Sequence, residues 1–218
     1  MIIFQHFDNH FYEIANITVP HNKKYCDQYN KKYNDYYGNF NDYYDGSSRG
    51  KREQYWTKII ILEKLLESCN DEWILMIDGD ILINFDYDLD IITRMISENK
   101  HIGICRASND ISEYWNINIG AVFFRNSNIS KSIIKNLIEL GVYYSFNVYE
   151  QAALQHVLQI NDLAKGATEI FPPSSFNNTN GPFIFHPCGK GYTTTEPDKE
   201  KAILNKIDIL KKRILEIK

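Results

Sequence analysis

The sequence predicts an α/β fold: one domain over residues 1–218, with a mostly parallel central sheet flanked by helices. Three observations predict it. Short apolar runs without breakers alternate with longer segments at helical spacing. The run "EWILMI" is continuously apolar, as a strand covered on both faces must be. No internal repeat and no low-complexity linker divides the chain.

"MIIFQHF" opens the chain as a short buried strand. In "ITVPHNKKYCDQYNKKY", Thr18 is placed as an N-cap with Pro20 in the first turn, so a polar helix should run to about Asn30. "NDYYGNFNDYYDGSSRG" reads as a second strand followed by an irregular loop. "REQYWTKIIILEKLLESC" sets Trp56, Ile59, Ile60, Leu62 and Leu66 on a broad apolar helix face. "EWILMI" then ends at Asp78, and the residues after Asp80 read as its continuation. A helix over "DLDIITRMISEN", a strand over "HIGICRA" and a strand over "INIGAVFFRNS" follow. "NISKSIIKNLIELG" is a helix that Gly141 ends. "YEQAALQHVLQI" is an amphipathic helix with Glu150 and Gln151 at its start. "GATEIFPPSSFNN" is a strand entering a proline-rich loop, and "GPFIFHPCGKGYTTT" a short strand before a glycine-rich turn. The tail, residues 197–218, is a charged amphipathic helix that either packs on the body, pairs with another chain or leads to a further domain.

Composition narrows the function. The 218 residues are 44% hydrophobic and carry a net charge of −4. An acidic balance argues against broad nucleic-acid binding, which leaves a basic footprint. The cysteines Cys26, Cys69, Cys105 and Cys188 are scattered without a C-x-x-C pair and read as reduced thiols. No apolar run approaches a membrane span, and the N-terminus lacks the basic and small-residue features of a signal peptide. The expectation is a cytoplasmic protein whose oligomeric state the sequence leaves open.

The chemistry concentrates at "ILMIDGDILINFD". Carboxylates in apolar surroundings need a partner, because an unpaired buried charge is costly. In an open α/β sheet, ligands bind beyond the carboxyl ends of strands, where Asp78 and Asp80 should lie. Paired carboxylates with open access suit a hard divalent cation, Mg²⁺ or Mn²⁺. The competing reading is a solvated Asp-Gly turn.

Four segments, in order, carry a resemblance. "ILMIDGDILI" resembles the DxD motif of nucleotide-sugar glycosyltransferases of the GT-A (Rossmann-like) fold. "NINIGAVFFRNS" resembles the N-x-G strand, "YEQAALQHVL" the [DE]-Q helix start and "FHPCGKGY" the H-x-x-G-x-K segment of the retaining glycogenin/galactosyltransferase-like and Mnn10/xylosyltransferase-like families. "NKKYCDQYNKKY" and "YWTKIIILEKLL" resemble the latter family's N-terminal half.

The resemblance implies a metal site of Asp78, Asp80 and His186, with the imidazole favouring Mn²⁺ over Mg²⁺. It implies a nucleotide-diphosphate sugar donor, by default a UDP-sugar, and a glycan acceptor. Donor contacts would come from Asp78, Lys58, Asn118, Gly120, Gly189 and Lys190. Glu150 and Gln151 would stand near the anomeric carbon as catalytic residues of a retaining transfer. In this chain the late segment reads H-x-x-G-K-G, so Lys190 departs from the family register by one residue. Arg49 and Arg52, beside a glycine-rich loop, are further phosphate candidates on chemistry alone.

Three other classes compete. A haloacid-dehalogenase-like phosphatase would use Asp78 as nucleophile, but Leu82 stands where that motif usually has Thr or Val. A sugar nucleotidyltransferase would need a glycine-rich loop after the first strand, which "HFDNHFYE" lacks. A non-catalytic nucleotide-sugar binder would not need an intact metal triad.

Overall fold

The structure, a computed structural model, describes residues 1–9, 11–38, 42, 54–108, 116–140, 150–173, 175–178, 181–187 and 196–216. In chain order the elements are β1 (Ile2–Phe7), α1 (Tyr12–Gln28), β2 (Lys32–Tyr37), α2 (Thr57–Ser68), β3 (Trp73–Ile77), β4 (Leu82–Ile83), α3 (Asp90–Met95) and β5 (Ile102–Arg106). They continue as β6 (Ile117–Arg125), α4 (Asn128–Leu140), α5 (Glu150–Ile160), α6 (Asp162–Ala167), β7 (Thr168–Phe171), β8 (Asn177–Asn178), β9 (Ile184–Phe185) and α7 (Glu196–Glu216). A 3-10 turn at Gln54–Trp56 leads into α2.

A six-stranded sheet in the order β2-β1-β3-β6-β5-β7 forms the centre. Every neighbouring pair is parallel except those made by β6, which runs against both β3 and β5. The predicted mostly parallel α/β sheet is therefore present. The reversal of β6 brings its first residues, including Asn118 and Gly120, to the same edge as the ends of β1 and β3. Asp78 N–H donates to Gly120 O at 2.7 Å across that edge.

Side-chain alternation loads both faces of the sheet. Ile74 and Met76 of β3 join the core built with α2, α4, α5 and α6. Trp73, Leu75 and Ile77 point into the opposite core with Tyr25, Cys26 and Ile92. In β6 the alternation slips: Ile117 and Ile119 share the first core with Val122 and Phe124. The slip coincides with a bulge, where Ile104 pairs with Val122 but Cys105 with Asn118.

Several expected boundaries move. Thr18 is not an N-cap, because α1 starts at Tyr12 and carries Pro20 inside it. Burial decides this: Ile14, Ala15, Thr18, Val19 and Asn22 form one buried stripe, stronger than a capping preference. Pro20 is exposed, so water can satisfy the carbonyl its missing N–H leaves. β2 begins at Lys32, earlier than expected, because it pairs along the whole of β1. α3 stops at Met95. The short helix α6, for which the sequence offers no expectation before the strand placed from Gly166, is capped by Asn161 accepting from Ala164 N.

The residues after Asp80 do not continue β3. The chain turns there, and β4 joins a second, three-stranded sheet in the order β4-β9-β8. α7 packs on the body: Ile207 and Leu210 meet Ile14, Leu82 and Phe185. Arg49, Arg52, Gly141, Cys188, Gly189 and Lys190 lie outside the described residues. Cys26, Cys69 and Cys105 are free thiols. Among the described residues no helix is long and apolar enough to cross a membrane.

Candidate metal and donor site

β3 delivers Asp78 to the sheet edge, and a tight turn with Ile81 N–H donating to Asp78 O at 3.2 Å follows. The turn is held from below by side chains that no motif marked. Gln5 Nε2 donates to Asp78 O at 2.8 Å, and Thr18 Oγ1 to Gly79 O at 2.9 Å. Asn22 donates to Ile81 O at 2.9 Å and to Gln5 Oε1 at 2.8 Å, and accepts from Ile83 N–H at 3.0 Å. Tyr33 also donates to Gln5 Oε1. Thr18, read as a cap, is thus a support for the turn. Gly79 sits where a Cβ would stand 3.0 Å from the Phe7 ring.

Asp80 is buried, whereas the Asp78 side chain keeps 31% of its exposure and opens the site to solvent. His186, just past β9, aims Nε2 at both: 3.3 Å from Asp80 Oδ1 and 3.8 Å from Asp78 Oδ2. Its Nδ1 lies 3.0 Å from Asn177 Oδ1. A carboxamide oxygen only accepts, so Nδ1 carries the proton and Nε2 is the atom presented to the aspartates. This is the outer support that metal-binding histidines normally have. Ligand atoms of Asp78, Asp80 and His186 all lie within 4.8 Å of one another. Two carboxylate oxygens and one oriented imidazole fit a divalent cation of the Mn²⁺ or Mg²⁺ kind.

Gly120 makes room for the imidazole. A Cβ there would lie 2.2 Å from His186 Cε1, so any other residue collides with the ring. Asn118 turns inward on its own strand, its Oδ1 accepting from Gly120 N–H at 2.9 Å. Of the N-x-G pair, expected at a sugar pocket, Gly120 makes the space for His186 and Asn118 bonds the Gly120 N–H.

Lys58, Glu150 and Asp78 form a chain. Lys58 Nζ lies 2.6 Å from Asp78 Oδ1 and 3.0 Å from Glu150 Oε1. Burial disfavours the ammonium, but the charges of Asp78 and Glu150 outweigh it and hold the amine above its ordinary value. Burial pushes the Glu150 carboxyl up, against the opposing pull of Lys58. Glu150 Oε2 is buried without a hydrogen-bond partner among the described residues. Gln151 stands behind it, with Oε1 3.5 Å from Ile119 N.

One charged residue escaped sequence reading. Lys206 of α7, 5% exposed, donates to Asp80 Oδ2. Burial raises the Asp80 carboxyl, yet the charges of His186, when its ring is doubly protonated, and of Lys206 prevail and hold it well below the usual range.

No protein-family model matches this sequence, and no curated protein does. Solved structures match over nearly the whole chain. A glycosyltransferase involved in glycosylation of the major capsid of PBCV-1 aligns with a TM-score of 0.62 at 18% identity, covering 93% of this chain and 98% of that one. The galactosyltransferase LgtC, solved with donor and acceptor sugar analogues, aligns at 0.58 and 11% identity, covering 97% and 96%. The glycosyltransferase GlyE of Streptococcus pneumoniae TIGR4 aligns at 0.57 and 13% identity, covering 100% of this chain and 64% of that one. The chain has the GT-A fold of these glycosyltransferases.

Proposed function

We propose that the protein is a metal-dependent glycosyltransferase that moves a sugar from a nucleotide-diphosphate sugar, with UDP-sugars as the leading donor class, to a glycan hydroxyl with retention of anomeric configuration. One observation carries the reading: Asp78, Asp80 and His186 converge at the open end of β3 in a fold that LgtC and the capsid-modifying enzyme share.

Asp78 Oδ2, Asp80 Oδ1 and His186 Nε2 are the atoms that would hold the cation. A bound divalent cation supplies Lewis-acid charge for the diphosphate leaving group. Lys58 orients Asp78 by occupying its other oxygen. Glu150 is assigned the developing positive charge at the anomeric carbon, because Oε2 is buried and has no hydrogen-bond partner among the described residues. The same carboxylate is less suited to deprotonating an acceptor, with Lys58 on its other oxygen. Gln151 stands beside it to position the sugar. Asn118 and Gly120 shape the wall that carries His186. Gly189 and Lys190 remain assigned to the diphosphate by resemblance.

The test is a panel of nucleotide sugars with Mn²⁺ or Mg²⁺, reading free nucleotide. Slow metal-dependent hydrolysis of one donor is expected without acceptor, lost in Asp80→Asn. If no donor is hydrolysed and no nucleoside diphosphate binds at millimolar metal, the reading fails. Donor binding without turnover under any acceptor condition indicates a binder. Turnover of a phosphomonoester that is lost in Asp78→Asn indicates a phosphatase.

A further inference from the structure

The two aspartates are constrained alike by lysines from distant parts of the chain. Lys58 takes Oδ1 of Asp78 at 2.6 Å, and Lys206 takes Oδ2 of Asp80. The remaining oxygens, Asp78 Oδ2 and Asp80 Oδ1, are the two that face His186 Nε2. Lys206 thus leaves the metal-facing oxygen open while placing a fixed positive charge on the far side of the same carboxylate. The next residue, Ile207, and Leu210 anchor α7 against Ile14, Leu82 and Phe185, so the helix that carries Lys206 cannot leave Asp80 without uncovering apolar surface.

We propose that Lys206 couples the metal to the diphosphate: its charge disfavours a divalent cation alone at Asp78, Asp80 and His186, and favours the cation together with a nucleoside diphosphate. This inference rests on the metal-dependent transferase reading and deepens it.

Charge balance is the reason. Among the described residues, and with His186 in its neutral ligating form, the carboxylates of Asp78, Asp80 and Glu150 against the ammoniums of Lys58 and Lys206 leave one net negative charge. A bare divalent ion overturns that balance and stands close to Lys206 in a poorly screened site. A diphosphate brings two or more negative charges and restores it. Neutralising Lys206 leaves two net negative charges, which match a bare divalent ion. By linkage, metal and diphosphate must raise each other's affinity by the same factor.

Calorimetry of Mn²⁺ into wild type and Lys206→Met, without nucleotide and with saturating UDP, GDP or ADP in turn, tests this. Lys206→Met is expected to bind Mn²⁺ alone about tenfold tighter than wild type, and the gain from nucleotide should shrink by a similar factor. The melting temperature of Lys206→Met should also rise more with Mn²⁺ than that of wild type. A merely structural lysine would lower both melting temperatures and leave Mn²⁺ affinity unmoved, which overturns the inference. Lys206→Gln gives the same readout if Lys206→Met does not fold. If Mn²⁺ promotes nucleotide binding in wild type but the coupling is unchanged in the folded variant, this inference alone falls. If Mn²⁺ does not promote nucleotide binding in wild type, the transferase reading falls with it.

Discussion

Gly120 and His186 meet face to face: a Cβ on Gly120 would stand 2.2 Å from His186 Cε1 and 2.5 Å from Nδ1. The missing side chain lets the imidazole lie on β6 with Nδ1 toward Asn177 and Nε2 toward the aspartates. The same glycine lies in the segment where β6 slips register against β5. The bulge and the ligand seat are therefore one local feature.

Gly120→Ala should displace His186 without removing it. Mn²⁺ affinity is expected to fall by about tenfold or more, the size of effect seen when a ligand's support is lost. Overpacking should cost about 1–3 kcal/mol of stability. Calorimetry and a urea melt check the two, and unaltered Mn²⁺ binding in the variant would contradict the geometry.

Lys58 is the shared cation of Asp78 and Glu150. Lys58→Met leaves the buried Glu150 carboxylate unpaired, a loss of about 3–5 kcal/mol by analogy with broken buried pairs. Donor hydrolysis should fall at least tenfold even where the variant is folded. Arginine should restore it poorly, because a planar fork does not fit between two carboxylates set for a point charge. Full activity in Lys58→Arg would argue that only the charge matters.

Gln5, fully buried, ties the Asp78 carbonyl to Asn22 and Tyr33. Gln5→Leu strands polar groups in the core and is expected to cost about 1–3 kcal/mol for each left unsatisfied. The turn carrying Asp80 should loosen with it, and Mn²⁺ affinity should drop although no ligand is changed. Denaturant melts paired with calorimetry separate the effects. A destabilised variant with wild-type Mn²⁺ affinity would show that the turn holds itself.

His21 is buried and lies 2.8 Å from Ile83 O. Burial holds its imidazole below the ordinary value, with Lys24 also acting downward and the Ile83 bond opposing. The unfolded chain therefore takes up a proton near pH 6.5 that the folded chain refuses until lower pH. Its stability contribution is complete above about pH 6.5 and is lost as pH falls toward the folded value. His21→Gln should flatten the fall in stability below about pH 6.5. Melts across that range check it, and an unchanged slope would assign the fall to other groups.

Much of this site could be read from the chain. "EWILMI" is apolar enough to demand cover on both faces, and its end had to deliver Asp78 to a sheet edge. Asp80, Asn118, Gly120, Glu150 and His186 follow in an order that motif resemblance recognised. Lys58 was placed near the aspartates by the same route. Other features had no local signal. The start of α1 was misjudged because Thr18 and Pro20 look like a helix beginning, while a buried stripe reaching back to Ile14 decides it. Gln5 and Asn22 look like polar interruptions in a strand and a helix, and only the tertiary fold shows the carbonyls they serve. Lys206 lies among several lysines on a charged helix, 126 positions from Asp80.

By itself, the sequence determined the alternation of strands and helices, the apolar strand that carries the aspartates, and the residue types able to bind a hard cation. Periodicity reports which face of an element is apolar, and a motif reports local chemistry. Neither states what lies across from that face. The reversal of β6, the seat of His186 on Gly120 and the capture of each aspartate by a different lysine were decided only by tertiary packing. Those relationships join residues that are distant in the chain, and they exist only once the cores on both sides of the sheet bring them together.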